Sequence, residues 1–187
     1  MEKRLLVGIT GASGAPYAVA FLRLLRELSQ PAEVIVTDPG LSVLEHETGL
    51  TLADLEELCA RVFREGELSA PPASGSAPYR GMVVLPCSMG TLSAVARGSA
   101  RNLLQRAADV MLKERRPLVL VVRETPFNLI HLRNMLAAAE AGAVIYPAMP
   151  AFYHRPRTLE DMVDFFARRL AEFLGFPVEN PRRWKGL

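Results

Sequence analysis

The stretch MVVLPCSMGT at residues 82–91 decides the fold. Its first four residues are apolar, include two β-branched valines and are bounded by Gly81 and Pro86. A short apolar run with such boundaries predicts a buried parallel strand. Small and hydroxyl-bearing residues follow, and then an alanine-rich segment that favours helix. Because the first amides of a helix are free and its dipole is positive there, this junction predicts a site for phosphate or another anion.

A second junction of the same kind lies near the start of the chain. Residues 4–10 (RLLVGIT) predict a first strand, Gly11–Ala15 a turn, and the residues from Pro16 onward a helix with one apolar face. Glycines let backbone amides approach a ligand, and the Ser13 hydroxyl can donate to it. The alternative is a tight turn that needs glycine only for its φ angles. Together the two junctions predict an enzyme that binds a phosphorylated cofactor.

The glycine spacing argues against two common nucleotide motifs. Gly8, Gly11 and Gly14 fall at every third position, which is not the GxGxxG fingerprint, and the chain has no GK[ST] of a P-loop. A TGAS turn also occurs in short-chain dehydrogenases. Those enzymes need a Tyr-x-x-x-Lys pair, and no tyrosine of this chain has a lysine four residues on.

The rest of the chain alternates between the two kinds of element. Further strands are predicted at residues 32–37, 82–85, 117–122 and 143–146, a helical region broken near Gly49 at 40–63, a loop at 66–80, and helices at 91–96, 102–114, 128–141 and 158–174. Such alternation is typical of a doubly wound α/β fold with a parallel sheet. No internal linker divides the chain, so residues 1–187 are predicted to form a single domain.

Composition narrows the class of protein. The chain has 187 residues, half of them apolar, with a net charge of +2, so it can bury a core and has no compositional support for nucleic-acid binding. The two cysteines lie far apart and no signal peptide precedes them, which predicts reduced thiols and a cytoplasmic protein. No apolar run reaches membrane-spanning length, and the three histidines lack metal-ligand spacing, so neither a membrane nor a metal is expected.

Several charged residues stand out by their position. Arg123 directly follows five apolar strand residues, which predicts a contact to phosphate or flavin. Arg106 and Lys113 are seven residues apart on one helix and share a face. For arginines on helices the alternative is an ordinary solvated surface charge. Cys87 could be a nucleophile, but no histidine partner is visible, so a small buried thiol is the favoured interpretation.

These motifs resemble the UbiX-type flavin prenyltransferase family, formerly known as aromatic-acid decarboxylases. The resemblance spans nearly the whole chain, and its motifs are GITGASG at 8–14, APPASGS at 70–76, PCSMGTLS at 86–93, RAADV at 106–110, LKERRPL at 112–118, RETPFNLIHL at 123–132, PAFYHRP at 150–156 and PRRW at 181–184. This sequence departs from the family pattern at two points. Thr37 stands where many members have serine, and an extra arginine precedes Trp184.

The resemblance implies an enzyme that joins a dimethylallyl group to N5 and C6 of reduced FMN. The implied donor is dimethylallyl phosphate, or the diphosphate in some relatives, and the implied product is prenylated FMN for a UbiD-type decarboxylase. It also implies a Rossmann-like flavoprotein fold of the cysteine decarboxylase type. The chains are expected to form a homododecamer with sites at subunit contacts, and the tail at 175–187 is expected to pack at such a contact.

Specific residues are expected to form this site. The FMN contacts are expected from Gly11, Ala12, Ser13, Thr37, Ser88, Met89, Gly90, Thr91 and Arg123. On the family pattern the leaving phosphate is held by Arg106, Lys113, Tyr153 and Arg169. The sequence has no DDxxD run that would hold a diphosphate through Mg²⁺, so the site is expected to be free of metal.

The remaining expected roles concern protons and shielding. Glu124 is the candidate proton donor to the leaving phosphate. Glu47 is expected near Ser13, where the pair could manage the flavin N5 proton, although the residue by itself favours a surface helix glutamate. Trp184, from a neighbouring subunit, is expected to shield the allyl cation. Of Arg168 and Arg169 only one can face the site, and the family pattern selects Arg169.

Two other functions remain open at this point. A peptidyl-cysteine-type decarboxylase would share the flavoprotein fold, although its Asn-Ala-Asn-Thr-like motif is not found in this sequence. A non-catalytic FMN carrier would leave the phosphate-binding side chains without a purpose.

Overall fold

A computed structural model of the protein describes residues 4–184 and residue 186. The strands are β1 (Leu5–Ile9), β2 (Glu33–Val36), β3 (Arg61–Arg64), β4 (Gly81–Cys87), β5 (Leu118–Val122) and β6 (Val144–Ile145). The helices are α1 (Ala15–Glu27), α2 (Asp38–Thr48), α3 (Leu52–Leu58), α4 (Met89–Ala96), α5 (Leu103–Lys113), α6 (Leu129–Glu140) and α7 (Leu159–Phe173), and a short 3₁₀ helix covers Pro71–Ala73. Lys185 and Leu187, at the end of the predicted tail, lie outside the described residues.

All six strands are parallel and lie in the order β3-β2-β1-β4-β5-β6. This confirms the predicted doubly wound α/β fold. From β1 the chain moves outward through β2 to β3, and then returns to place β4 on the other side of β1. Such a reversal leaves a crevice between the two central strands at their carboxyl ends, where ligands of these folds bind.

Strand β3 was not predicted, and the interpretation of residues 61–63 as the end of a helical region is wrong. The segment has the sequence RVFR, with Phe63 buried and Arg61 exposed. It pairs with β2 from Glu33 to Val36, and just before it the amide of Ala60 donates its hydrogen to the carbonyl of Ala32 at 2.8 Å. A strand of four residues that begins and ends with arginine is too short to show the strand period in the sequence. The pairing with β2 therefore decides its structure.

The sheet is covered on both faces. Val7 and Ile9 of β1 pack with α1 and α7 on one face, whereas Leu6 packs with α4 and α5 on the other. Because both faces are buried, β1 and β5 are apolar along their whole length, as the sequence of a central parallel strand should be. The division matters for the site, because α5 and α7 lie on opposite sides of the sheet.

The helix starts follow from local hydrogen bonding. Thr51 and Asp54 form a capping box at α3, and Thr158 and Asp161 form another at α7, both as predicted. Within the described part of the chain, no helix combines the length and the apolar character needed to cross a bilayer.

Candidate active site

Thr10 joins the two junctions that the sequence singled out. Its side chain is 2% exposed, its hydroxyl donates to the carbonyl of Pro86 at 2.7 Å, and the same oxygen accepts the amide hydrogen of Ser88 at 2.9 Å. One hydroxyl therefore ties the carboxyl end of β1 to the carboxyl end of β4. Sequence analysis gave Thr10 no role beyond ending a strand, because a contact across 78 residues leaves no local signal.

Glu47 fixes the first turn. One oxygen of its carboxylate accepts the amide hydrogens of Gly14, at 2.9 Å, and of Ala15, at 2.8 Å, so it neutralises the start of α1. Gly14 has a φ of 122°, which favours glycine. A Cβ on Gly11 would lie 2.6 Å from the Cβ of Pro39. The turn therefore needs its glycines for conformation and close packing, whatever it binds.

Glu47 is ionised at neutral pH. Burial by itself raises the pKa of this carboxyl, but hydrogen bonds from Ser13, Gly14 and Ala15 and the charge of Arg123 more than offset it, so the pKa lies below its ordinary value. The interpretation as an ordinary surface glutamate is wrong, because the structure places Glu47 against Ser13, where the resemblance implied. Ser13 itself is exposed at the carboxyl edge of the sheet.

The second junction has the geometry predicted for an anion site. Ser88 caps α4, and its hydroxyl oxygen accepts the amide hydrogen of Thr91 at 3.3 Å. A Cβ on Gly90 would meet only the Ser88 hydroxyl, at 4.0 Å, so the helix start is open to an approaching group. Cys87 is fully buried beside it, and burial raises the pKa of its thiol to about 12, in agreement with a buried protonated thiol.

Thr37 has a structural task in this chain. Its side chain is buried, and its hydroxyl oxygen accepts the amide hydrogen of Gly40 at 3.0 Å to cap α2. Gly40 is packed so closely that a Cβ would lie 2.5 Å from the carbonyl oxygen of Ile9. The hydroxyl expected to contact FMN thus already stabilises the helix start beside the turn.

Arg123 completes the carboxyl edge. It follows β5, its amide donates to the carbonyl of Cys87 at 3.2 Å, and its side chain is exposed. Its charge lowers the pKa of Glu47, and it partly offsets the effect of burial, which raises the pKa of Tyr17. The guanidinium of Arg123 therefore lies close enough to the first turn for its charge to act on Glu47 and Tyr17. Glu124 follows, exposed, and accepts the amide hydrogen of its neighbour Thr125 at 2.9 Å.

The four expected phosphate ligands do not meet within one chain. Arg106 donates to the carbonyl of Ala73, at 3.2 Å, and pairs with Asp109, at 2.6 Å, while Lys113 pairs with Glu114. Both side chains face the 70–76 loop, so the expectation that they share a helix face agrees with the structure.

The position of α5 explains why these two side chains are distant from the others. The helix begins beside Glu65, just after β3 ends, because the Leu103 amide donates to the Glu65 carbonyl at 2.8 Å. Lys113 is the last residue of α5 and lies toward the amino ends of the strands, opposite the carboxyl ends where the first turn lies. Tyr153 packs on Phe165 of α7, on the other face. These four residues therefore do not converge within a single chain, and their joint role at one phosphate stays a prediction.

Tyr153, Arg169 and Trp184 do lie together. The rings of Tyr153 and Trp184 meet edge to face with centroids 5.4 Å apart. The charge of Arg169 reaches Tyr153 and Tyr146, and the hydrogen bond to Glu172 is the largest cause of the raised pKa of its guanidinium. Trp184 was expected on a neighbouring subunit, whereas the structure lays it on Tyr153 of its own chain.

Arg168 points elsewhere, as its position next to Arg169 requires. It pairs with Asp164 at 2.9 Å and donates to the backbone carbonyl of Glu179 at 3.1 Å. This agrees with the expectation that only one of the two arginines serves the phosphate.

The carboxyl edge can hold a flavin phosphate. It offers the open start of α4 at Gly90, the exposed hydroxyl of Ser13 and the exposed cation of Arg123. Among residues 4–184 and 186, no three histidine, cysteine, aspartate or glutamate side chains come together as a metal-ligand group would. The donors of this site are amides, hydroxyls and cations.

Comparison with known proteins defines the class first. Residues 1–171 match the Flavoprotein family, so the chain is a member of that family. The similarity then becomes more specific. The chain is 47% identical over 182 residues to the flavin prenyltransferase UbiX of Deinococcus radiodurans, covering 97% of this chain and 93% of that one. It is 45% identical over 184 residues to the UbiX of Methanothermobacter thermautotrophicus, covering 98% and 96%. The chain belongs to the UbiX flavin prenyltransferases.

Solved structures agree. AnUbiX (PadA1) in complex with FMN and dimethylallyl pyrophosphate superposes with a TM-score of 0.94 at 39% identity, over 100% of both chains. The dodecameric FMN-dependent UbiX-like decarboxylase of Escherichia coli O157:H7 superposes with a TM-score of 0.93 at 42% identity, over 98% and 100%. The cypemycin decarboxylase CypD, at 19% identity and a TM-score of 0.66 over 92% and 95%, shares the fold alone.

Replacing Thr10 tests its bridge between the two junctions. Thr10→Val keeps the shape but removes both hydrogen bonds and leaves the Ser88 amide without its partner. The free energy of unfolding should fall by about 1–3 kcal/mol, and FMN should dissociate more readily. Urea titration at fixed protein concentration, with flavin fluorescence, measures both. Thr10→Ser, which keeps the hydroxyl, should stay close to the wild type, and equal loss in the two variants would show that the hydroxyl is not the cause.

Replacing Arg123 tests its place in the site. A charge-assisted hydrogen bond contributes about 1.5–3 kcal/mol, so Arg123→Ala should weaken FMN binding by roughly 10- to 150-fold. Titration of the apoprotein with FMN, followed by flavin fluorescence, gives the dissociation constant. Arg133→Ala, on α6, is the matched loss of one positive charge elsewhere and should leave FMN binding unchanged. Unaltered affinity in Arg123→Ala would remove this residue from the site.

Proposed function

We propose that this protein transfers a dimethylallyl group to N5 and C6 of reduced FMN, with release of phosphate. The observation that carries the proposal is the network around Glu47. An ionised carboxylate holds Ser13 and the first amides of α1 at the switch point of the sheet, with Arg123 nearby. A carboxylate hydrogen-bonded to a hydroxyl supports a proton-accepting pair at this edge, and the chain is 45% and 47% identical to two flavin prenyltransferases.

FMN is the acceptor, and we assign its binding to the carboxyl ends of β1, β4 and β5. The proposed contacts are Gly11, Ala12, Ser13, Ser88, Met89, Gly90, Thr91 and Arg123, with Thr37 acting through the cap of α2. The free amides at the start of α4 and the guanidinium of Arg123 suit a phosphate ester. Reduced flavin supplies the nucleophilic N5 and C6 atoms when it is bound.

Glu47 and Ser13 manage the proton at N5. As the bond from N5 to the dimethylallyl carbon forms, the N5 hydrogen must leave. The Ser13 hydroxyl would accept that proton while its own proton passes to the ionised Glu47 carboxylate, which ends protonated. The two backbone amides that also hold Glu47 keep the carboxylate in one orientation.

The leaving phosphate is proposed to be held by three cationic side chains and one tyrosine hydroxyl. Breaking the allylic C–O bond leaves negative charge on phosphate, and Arg106, Lys113, Tyr153 and Arg169 are the proposed donors. Their charge takes the place that Mg²⁺ has with diphosphate donors, so the proposed reaction needs no metal and uses the monophosphate. Glu124 is the proposed acid that protonates the departing phosphate.

The site is proposed to form between copies of the chain. Within one copy, α5 carries Arg106 and Lys113 on the opposite face of the sheet from Tyr153 and Arg169. A second copy must therefore supply one pair to complete the phosphate site, and Trp184 shields the allyl cation where the copies meet. The similarity to a dodecameric relative supports an assembly of the same size, with the tail at 175–187 at a contact.

The product, prenylated FMN, is proposed to serve a UbiD-type decarboxylase.

Both cysteines are unpaired in the structure, which supports a reducing, cytoplasmic setting.

One incubation separates this function from the alternatives. Anaerobic protein with reduced FMN and dimethylallyl phosphate should yield a flavin heavier by one C₅H₈ unit, together with inorganic phosphate. Mass spectrometry and a phosphate assay measure the two products. Turnover should survive EDTA, because all the proposed phosphate ligands are protein side chains. An FMN carrier yields neither product, a cysteine decarboxylase releases CO₂ from a peptide instead, and activity that is lost with EDTA and regained with Mg²⁺ contradicts the metal-free mechanism.

The neighbouring arginines of α7 offer a matched pair of variants. Arg169→Ala should lower the rate of prenyl transfer by roughly 100- to 1000-fold, the usual effect of losing one donor to developing charge, while FMN still binds. Arg168→Ala removes the same charge one position away and should have a far smaller effect, since Arg168 pairs with Asp164. Single-turnover kinetics with saturating FMN measure both. The reverse order of effects would assign the phosphate site to Arg168.

A further inference from the structure

Glu172 lies at the centre of an ion network that the mechanism above does not use. Its side chain is 9% exposed, and its two carboxylate oxygens face different partners. Oε2 accepts from Nη1 of Arg169 at 2.5 Å, and Oε1 accepts from Nε of Arg183 at 3.1 Å and from its Nη2 at 2.5 Å. Asn180 adds a longer hydrogen bond to Oε2, at 3.4 Å. One carboxylate therefore joins α7 to the C-terminal tail.

The C-terminal tail places Trp184 beside Tyr153, one of the residues proposed to bind phosphate. Arg183 directly precedes Trp184, and the Trp184 ring rests edge to face on Tyr153. Arg182 anchors the same segment by pairing with Asp161 at 2.6 Å. The two consecutive arginines thus hold the tail at two acidic points of α7, and the second of these points is the residue that also binds Arg169.

The carboxylate remains charged in this position. Burial opposes its ionisation, but the hydrogen bonds from Arg183, Arg169 and Asn180 hold the pKa of Glu172 below its ordinary value. A nearly buried carboxylate with two guanidinium partners holds both of them in one orientation, because either guanidinium would otherwise be free to rotate in solvent. The bond to Arg169 uses Nη1, and a guanidinium has further donors on its other nitrogens that can reach phosphate.

We propose that Glu172 is a positioning residue that sets two parts of the site at once: it orients Arg169 for the phosphate, and through Arg183 it holds Trp184 against Tyr153. The inference rests on the proposed function for its meaning, because it assumes that Arg169 binds phosphate and that Trp184 shields the allyl group. Its structural part, the clamp on the tail, stands on the contacts alone.

Three variants separate the two tasks. Glu172→Gln weakens both charge-assisted contacts while preserving shape. Arg183→Ala frees the tail but leaves the contact between Glu172 and Arg169. Glu179→Gln is the matched control, because it removes the same charge from the tail, where the backbone carbonyl of Glu179, not its carboxylate, contacts Arg168.

The single tryptophan of the chain provides a readout that is independent of turnover. Trp184 rests on Tyr153, is 51% exposed in a single copy and is proposed to lie at a contact between copies, so release of the tail should raise its acrylamide quenching constant. The purified, assembled protein is used, with FMN content matched between variants. We expect this rise in Glu172→Gln and in Arg183→Ala, and none in Glu179→Gln.

Steady-state kinetics test the second task. In Glu172→Gln the KM for dimethylallyl phosphate should rise by roughly tenfold, the equivalent of one weakened charged contact, because Arg169 is no longer oriented. In Arg183→Ala the same KM should stay close to the wild-type value while kcat falls.

The outcomes distinguish this inference from the proposed function. Unchanged Trp184 quenching in Glu172→Gln overturns the clamp, whether or not the protein transfers prenyl groups. An unchanged KM in Glu172→Gln overturns the orientation of Arg169. If the wild type forms no prenylated flavin but the quenching changes as expected, the proposed function fails and the clamp on the tail stands.

Discussion

The hydroxyl of Thr10 is the interaction on which the site depends. A parallel sheet brings its strand ends to one edge, but it does not fix the loops that leave that edge. By donating to Pro86 and accepting from Ser88, Thr10 fixes the exit of β1 relative to the exit of β4 at the switch point of the sheet. The start of α4 and the first turn are therefore held in one geometry before any ligand arrives, which is the preorganisation that anion binding and catalysis require.

Charge around this edge is arranged in pairs that a substrate can join. Glu47 neutralises the first amides of α1 and lies in the field of Arg123, so the turn carries an ionised carboxylate without an isolated buried charge. Arg169 has the equivalent partner in Glu172. Cations held in this way keep donors available for phosphate while their orientation is set by the protein. In the proposed mechanism this fixed positive charge serves the leaving phosphate.

Much of this could be predicted from the sequence. The strand and helix alternation, the junctions at 8–14 and 86–93, Arg123 after β5 and the caps at Thr51 and Thr158 all rest on local patterns, and the structure agrees with them. Three features had no local signal. Strand β3 is too short to show its period. The hydrogen bond between Thr10 and Ser88 joins residues 78 positions apart in the sequence. The role of Glu47 depends on a turn 33 residues away. The separation of Arg106 and Lys113 from Tyr153 follows from the sheet having two faces, which spacing along the chain does not reveal.

That separation makes the assembly part of the proposed chemistry. If Arg106 and Arg169 serve the same phosphate but come from different copies, two inactive variants can repair each other. Arg106→Ala and Arg169→Ala chains, each deficient in prenyl transfer but able to bind FMN, are co-expressed with different tags and the mixed oligomers are purified through both. We predict that these mixed oligomers regain prenyl transfer, because some of their sites receive Arg106 from one variant and Arg169 from the other. Mixed oligomers as inactive as either parent would contradict a site built from two copies.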